Sequence, residues 1–164
     1  MAFVSVYFGL GTNQGNRSEN IKMALEALDK ALGCHFSALS SIIETPSWGF
    51  EGEDFLNVVV RYRVSSPKGE PTEAFGLRLL DEVKRIEREM GRRESIEHDA
   101  DGRRIYHDRV IDIDILFIGN ETVSHDRLQV PHPLIAQRDF VLLPLKEVAT
   151  PSLMAHFPQI IESK

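Results

Sequence analysis

The segment Val110-Ile111-Asp112-Ile113-Asp114-Ile115-Leu116-Phe117-Ile118 alternates isoleucine with aspartate and then turns wholly apolar. Such alternation suits a pleated strand, whose successive side chains point to opposite faces. Ile111, Ile113, Ile115 and Phe117 are predicted to face a core. Asp112 and Asp114 then share the other face, with Cα atoms roughly 6.6–6.8 Å apart. Two carboxylates side by side in mid-strand repel each other, so they call for a positive partner.

Working outward, Val4, Val6 and Phe8 alternate in the same way and run into Gly9-Leu10-Gly11-Thr12-Asn13-Gln14-Gly15-Asn16, read as a glycine-rich turn with Asn13 its one candidate contact. It lacks the lysine and spacing of a P-loop. Asn16 and Glu19 stand in capping-box spacing ahead of Ile21, Leu25, Leu28 and Leu32, which recur at helical spacing up to Gly33. Phe36 to Glu44 reads as a second strand, and Phe55 to Val64, with Val58, Val59 and Val60, as a third. Phe75, Leu79, Val83, Ile86 and Met90 form the stripe of a second helix ending at Gly91. Residues 91–108 are polar and aperiodic, and beyond Ile118 come a hairpin-like segment, an apolar strand from Phe140 to Leu145 and a peripheral helical tail. The order β-α-β-β-α-β predicts an α+β, ferredoxin-like antiparallel sheet with helices packed on its faces. The two long helices are expected together on one face.

At 164 residues the chain suits one domain, 1–164, and its 42% hydrophobic content is that of a soluble globular protein. No apolar run approaches the roughly 20 residues that span a bilayer, and the N-terminus reads as a strand, not a signal peptide. Cys34 is the only cysteine, which predicts a reducing compartment and hence the cytoplasm. A formal charge of −6 argues against a nucleic-acid partner. Seven arginines nevertheless fall between Arg85 and Arg109, either as a solvated helix face and loop or as a site for a small, highly charged anion.

Mg²⁺ prefers oxygen ligands and typically takes one or two carboxylates plus water and phosphate oxygens, so Asp112 and Asp114 are candidate metal ligands. The alternative is a polar strand face neutralised by arginines. His132, fixed between Pro131 and Pro133, suits a group that must be positioned, and equally a surface hydrogen-bonder beside a strand end. Arg138 can clamp a phosphate or pair with either aspartate. Phe55 and Asn57 can stack on and read a flat heterocycle, or serve as core.

With these segments in register, the chain resembles the 6-hydroxymethyl-7,8-dihydropterin pyrophosphokinase family. Gly11-Thr12-Asn13 matches its Gly-Ser-Asn turn, Glu44-Thr45-Pro46 and Phe55-Leu56-Asn57 its next segments, and Ile86-Glu87 through Gly91-Arg92 the end of its second helix. Arg109-x-x-Asp112-x-Asp114-Ile115-Leu116, followed by Val130-Pro131-His132-Pro133 and Arg138-x-Phe140, matches its signature. The resemblance implies transfer of pyrophosphate from ATP to 6-hydroxymethyl-7,8-dihydropterin with release of AMP, in folate biosynthesis, by a monomer. It implies two Mg²⁺ ions on Asp112 and Asp114, and Arg92 with both aspartates as the catalytic set. Thr45, Pro46, Trp48, Phe55, Asn57 and Phe140 would hold the pterin. Glu87, Arg92, Arg109, Ile115, Arg127, His132 and Arg138 would line the ATP path. The long aperiodic stretch 91–108 is expected to act as a lid bearing Arg92, and since Glu94 stands where some members carry a second arginine, Arg103 or Arg104 would substitute for it. A nucleotidyltransferase using the same aspartates, or a ligand-sensing module without turnover, are the rival readings.

Overall fold

The central strand, β1 (Ala2–Thr12), is paired on both sides. In this computed structural model, which describes residues 2–46, 54–91 and 110–162, β1 lies antiparallel to β4 (Phe55–Ser66) from Ala2↔Ser66 to Thr12↔Leu56. On its other side it lies antiparallel to β5 (Asp112–Ile118), from Val6↔Ile118 to Gly11↔Asp112. The short strands β2 (Ala38–Leu39) and β3 (Ile43–Thr45) both pair with the far edge of β4. Among the described residues the sheet order is therefore β2-β4-β1-β5, as in the expected ferredoxin-like α+β architecture.

Two helices cover one face. In α1 (Arg17–Leu32) the Asn16 side chain accepts from the Glu19 amide, and Gly33 closes the helix at φ 72°. In α2 (Thr72–Gly91) the predicted stripe Phe75, Leu79, Val83, Ile86 and Met90 is buried throughout. These residues pack on Val6, Phe8, Leu10, Val58, Val60, Ile113 and Ile115.

The opposite face carries a second core that the sequence reading missed. Residues Phe140–Leu145, expected as a strand, belong to the helix α3 (Asp139–Val148). Val141, Leu142, Leu145 and Val148 are buried whereas Leu143 is half exposed, which is a helical period inside an apolar run too short to betray it. The tail forms α4 (Pro151–His156) and α5 (Pro158–Ile161). It is helical as expected but not peripheral: Leu153, Phe157 and Ile161, four residues apart, are buried with Tyr7, Val59 and Phe117.

Three local readings also change. Gly9-Leu10-Gly11 continues β1 instead of turning, because β4 and β5 flank it on both sides. The expected strand Phe36–Glu44 is two short strands separated at Ser40, whose amide donates to the Val59 carbonyl and whose hydroxyl accepts from the Val59 amide. Phe117 faces the second core, not the first, because the ladder steps from Tyr7↔Phe117 to Phe8↔Ile115 and leaves Leu116 as the extra residue of a β-bulge. The predicted hairpin is present as β6 (Val123–Ser124) and β7 (Gln129–Val130), followed by a short 3-10 turn, Ile135–Gln137.

Candidate active site

Two rows of residues cross the sheet on the α3 face. One is Asn57–Gly11–Asp112, the next Val59–Gly9–Asp114. With strands about 4.8 Å apart, the outer members of a row stand some 9–10 Å apart across a residue with no side chain. The result is a cavity of about 280 Å³ lined by both glycines, Thr45, Pro46, Phe55, Asn57, Asp112, Asp114, Arg138 and Phe140. Close approach is what glycine supplies here: a Cβ on Gly11 would sit 3.2 Å from Asn57 Oδ1.

One end of the cavity is flat and amide-edged. Thr45↔Phe55 is the last rung of the β3–β4 ladder, and Asn57 is buried just behind it. Asn57 Nδ2 donates to Thr45 Oγ1 at 2.9 Å and to the Ile43 carbonyl at 3.4 Å. A carbonyl only accepts, so the amide nitrogen must face it and Oδ1 is presented over Gly11. Phe140 enters from the first turn of α3, so Phe55 and Phe140 line one cavity from the sheet and the helix.

The other end is charged. Arg138 Nη1 lies 3.8 Å from Asp114 Oδ2, and its guanidinium sits 5.8 Å above the Phe140 ring. Both charged side chains are partly exposed, so this pair contributes little to stability. Arg138 also flanks the start of α3, whose first turn carries the Asp139 carboxylate, favourably placed against the helix dipole. His132 is tied to β5 by its own amide, which donates to the Leu116 carbonyl at 3.0 Å. Its Nδ1 accepts from the Leu134 amide, so a neutral ring carries its proton on Nε2. Burial pushes the His132 pKa down and Arg138 pushes it further, against an opposing pull from Asp114.

Asp112 and Asp114 thus share one face, as expected from their spacing, and both reach the cavity. Among the described residues no three His, Cys, Asp or Glu side chains are gathered to hold a metal alone. Two hard oxygen donors beside an open cavity fit Mg²⁺, which accepts the rest of its shell from water and phosphate.

Other expected site residues lie elsewhere. Glu87 sits at the free edge of β5, where Oε2 accepts the Ile113 amide at 2.9 Å, between the two aspartates. Ile115 is buried in the core beneath α2. Arg127 pairs with Asp81 of α2 at 2.8 Å, outside the cavity lining. Asn13 is buried in the β1–α1 turn. Trp48, Glu94, Arg92, Arg103, Arg104 and Arg109, and with them the expected lid, fall outside the described residues.

The sequence reading also passed over Gly9 and Gly11 as cavity floor, and over Thr12. The Thr12 hydroxyl donates to the Val110 carbonyl at 2.6 Å and accepts from Asn20 of α1, which anchors the entry to β5. Two glycines two residues apart, Gly9 and Gly11, at the end of an alternating strand were the available signal.

Comparison with known proteins accords with this geometry. Residues 7–150 match the family described as 7,8-dihydro-6-hydroxymethylpterin-pyrophosphokinase (HPPK). The 2-amino-4-hydroxy-6-hydroxymethyldihydropteridine pyrophosphokinase of Porphyromonas gingivalis is 40% identical over 146 residues, which is 88% of this chain and 90% of that protein. The enzyme of the same name from Aquifex aeolicus is 36% identical over 145 residues, covering 88% and 79% respectively. Among solved structures, an HPPK-DHPS in complex with substrates superposes with a TM-score of 0.62 at 16% identity. That superposition covers 99% of this chain but only 44% of the longer protein, so it bears on the fold alone. By sequence match over most of its length, the chain belongs to the 7,8-dihydro-6-hydroxymethylpterin-pyrophosphokinase family.

Proposed function

We infer that this chain transfers pyrophosphate from ATP to 6-hydroxymethyl-7,8-dihydropterin, releasing AMP, as an enzyme of folate biosynthesis. The observation that carries the reading is the row Asn57–Gly11–Asp112, which joins an amide edge suited to a flat ring to a carboxylate suited to a metal-bound polyphosphate.

The pterin lies between Phe55 and Phe140, with Asn57 Oδ1 accepting a ring N–H and Thr45 holding the Asn57 amide in place. This orients the hydroxymethyl group toward Asp112 and Asp114. Asp112 and Asp114 would hold two Mg²⁺ ions, which would supply charge neutralisation to the ATP phosphates. Arg138 adds positive potential at the same end, and His132 offers Nε2–H as a donor. The hydroxymethyl oxygen forms a bond to the β-phosphorus as the bond from that phosphorus to the α,β-bridging oxygen breaks. AMP takes the electron pair, and the alcohol's proton passes to solvent water. Alignment and neutralisation dominate such transfers, so no strong base is required. The enzyme works as one catalytic unit over 1–164, as a monomer in the cytoplasm. The single cysteine supports the compartment. Among the described residues no helix is long and apolar enough to cross a membrane.

Incubation with Mg·ATP and the pterin, followed by product analysis, tests this directly. AMP and the pterin diphosphate are expected in equal amounts. Free pyrophosphate with a nucleotidylated product would favour the nucleotidyltransferase reading, and no turnover would favour the ligand-sensing one.

A further inference from the structure

Arg17 is the first residue of α1, where a cation is disfavoured by the helix dipole. It does not stay in solvent. Its Nη1 donates to Glu44 Oε1 at 3.0 Å and to the Asp54 carbonyl at 2.7 Å, and its side chain is only 25% exposed. Glu44 immediately precedes Thr45 and Asp54 immediately precedes Phe55, so one nitrogen bridges the two strands of the β3–β4 ladder at its last rung. That rung supplies Thr45, which holds the Asn57 amide, and Phe55, which lines the cavity.

We propose that Arg17 is a positioning residue for the flat-ring end of the cavity: it ties Glu44 to the Asp54 carbonyl and so keeps Thr45 and Phe55 in register. This rests on the pterin reading of that end, while the register claim itself does not. β3 has three residues, and a ladder that short frays at its end unless something beyond the last rung closes it. The charged donor on a backbone carbonyl is the stronger of the two bonds, since the Glu44 pair is an exposed ion pair. Arg17 is not part of the cavity lining itself, and its effect should be confined to the ring-binding end.

Two measurements on the intact chain test it. In Arg17→Ala, amide hydrogen exchange in peptides covering Thr45 and Phe55 should quicken at least about tenfold, with β1 and β5 protected as before. The pterin Kd should rise about tenfold while the Kd for Mg·ATP stays within about twofold. Glu44→Gln keeps an oxygen acceptor for Arg17 as well as the Asp54 carbonyl bond, so the bridge survives without the ion pair. The cost should be less than about threefold in pterin Kd, and Arg17→Lys should recover part of the loss. Unchanged exchange at the Thr45–Phe55 rung, or equal loss of both ligands, overturns the proposal. If the unaltered protein binds no pterin, the functional reading fails, and the exchange result still decides whether Arg17 holds the rung.

Discussion

The two faces of the sheet are filled differently along their length. Under α1 and α2 the packing is continuous: Val6, Phe8 and Leu10 of β1 are buried beside Val58, Val60, Tyr62, Ile113 and Ile115. Under α3 it stops partway. The row Arg61–Tyr7–Phe117 is packed, with Tyr7 and Phe117 rings 5.7 Å apart and Arg61 donating to the Val148 carbonyl at the end of α3. In the next two rows the middle residue is Gly9 or Gly11 and aspartates take the β5 side. The site is thus made by subtraction, as the part of the second core whose central side chains are missing. Stability should be concentrated on the first face, and ligand binding on the emptied end of the second.

That contrast can be broken in three places. The largest effect is expected from Phe8→Ala, which empties a fully buried position on the continuous face and should cost about 3–5 kcal/mol in urea denaturation. Ligand affinities of the molecules that remain folded should be unaltered. A cost under about 1 kcal/mol would mean that the two faces do not divide the work. Next come Asp112→Asn and Asp114→Asn. Each should lower turnover at least about a hundredfold, roughly 2.7 kcal/mol of transition-state stabilisation, with a melting temperature equal or higher as like-charge repulsion is removed. Near-normal turnover in either would reduce the pair to surface charge. The smallest effect belongs to Gly11→Ala, which restores one methyl to the emptied end, 3.2 Å from Asn57 Oδ1. Isothermal titration should show pterin binding weakened about fivefold, near 1 kcal/mol, with Mg·ATP binding intact. Unchanged pterin affinity would show that the gap above Gly11 is not where the ring lies.

Much of the fold was legible because its periods are clean. Asn16, Gly33 and the stripe from Phe75 to Met90 announce two helices, and Ile111 to Ile115 a strand with opposite faces of opposite character. The α3 layer was not legible for equally physical reasons. From Phe140 to Leu145 every residue is apolar, so strand and helix predict the same composition, and only burial by neighbours reveals that Leu143 points out. The bulge at Leu116 depends on how β1 aligns with β5, a pairing between segments more than a hundred residues apart. In the site, residues that act through side-chain type, such as Asp112, Asp114 and Asn57, were visible. Roles set by position were not: Glu87, expected on the ATP path, accepts the Ile113 amide, and with Thr12 on the Val110 carbonyl it holds the strand that carries the aspartates.

The bulge also bears on which lengths of β5 can be inherited. Leu116 faces no partner on β1, its side chain lies 3.6 Å from where a Cβ on Gly9 would be, and it is buried at the seam between packed core and open cavity. Loss of one codon there would keep the parity of every other residue, so Asp112 and Asp114 would still face the cavity, while the strand would lose the partition behind it and the carbonyl that accepts the His132 amide. Loss of one codon at Ile113 would set the two aspartates on opposite faces, one of them against α1 and α2. A lineage could shorten the strand at the seam and keep its aspartate pair on one face, but not three residues earlier.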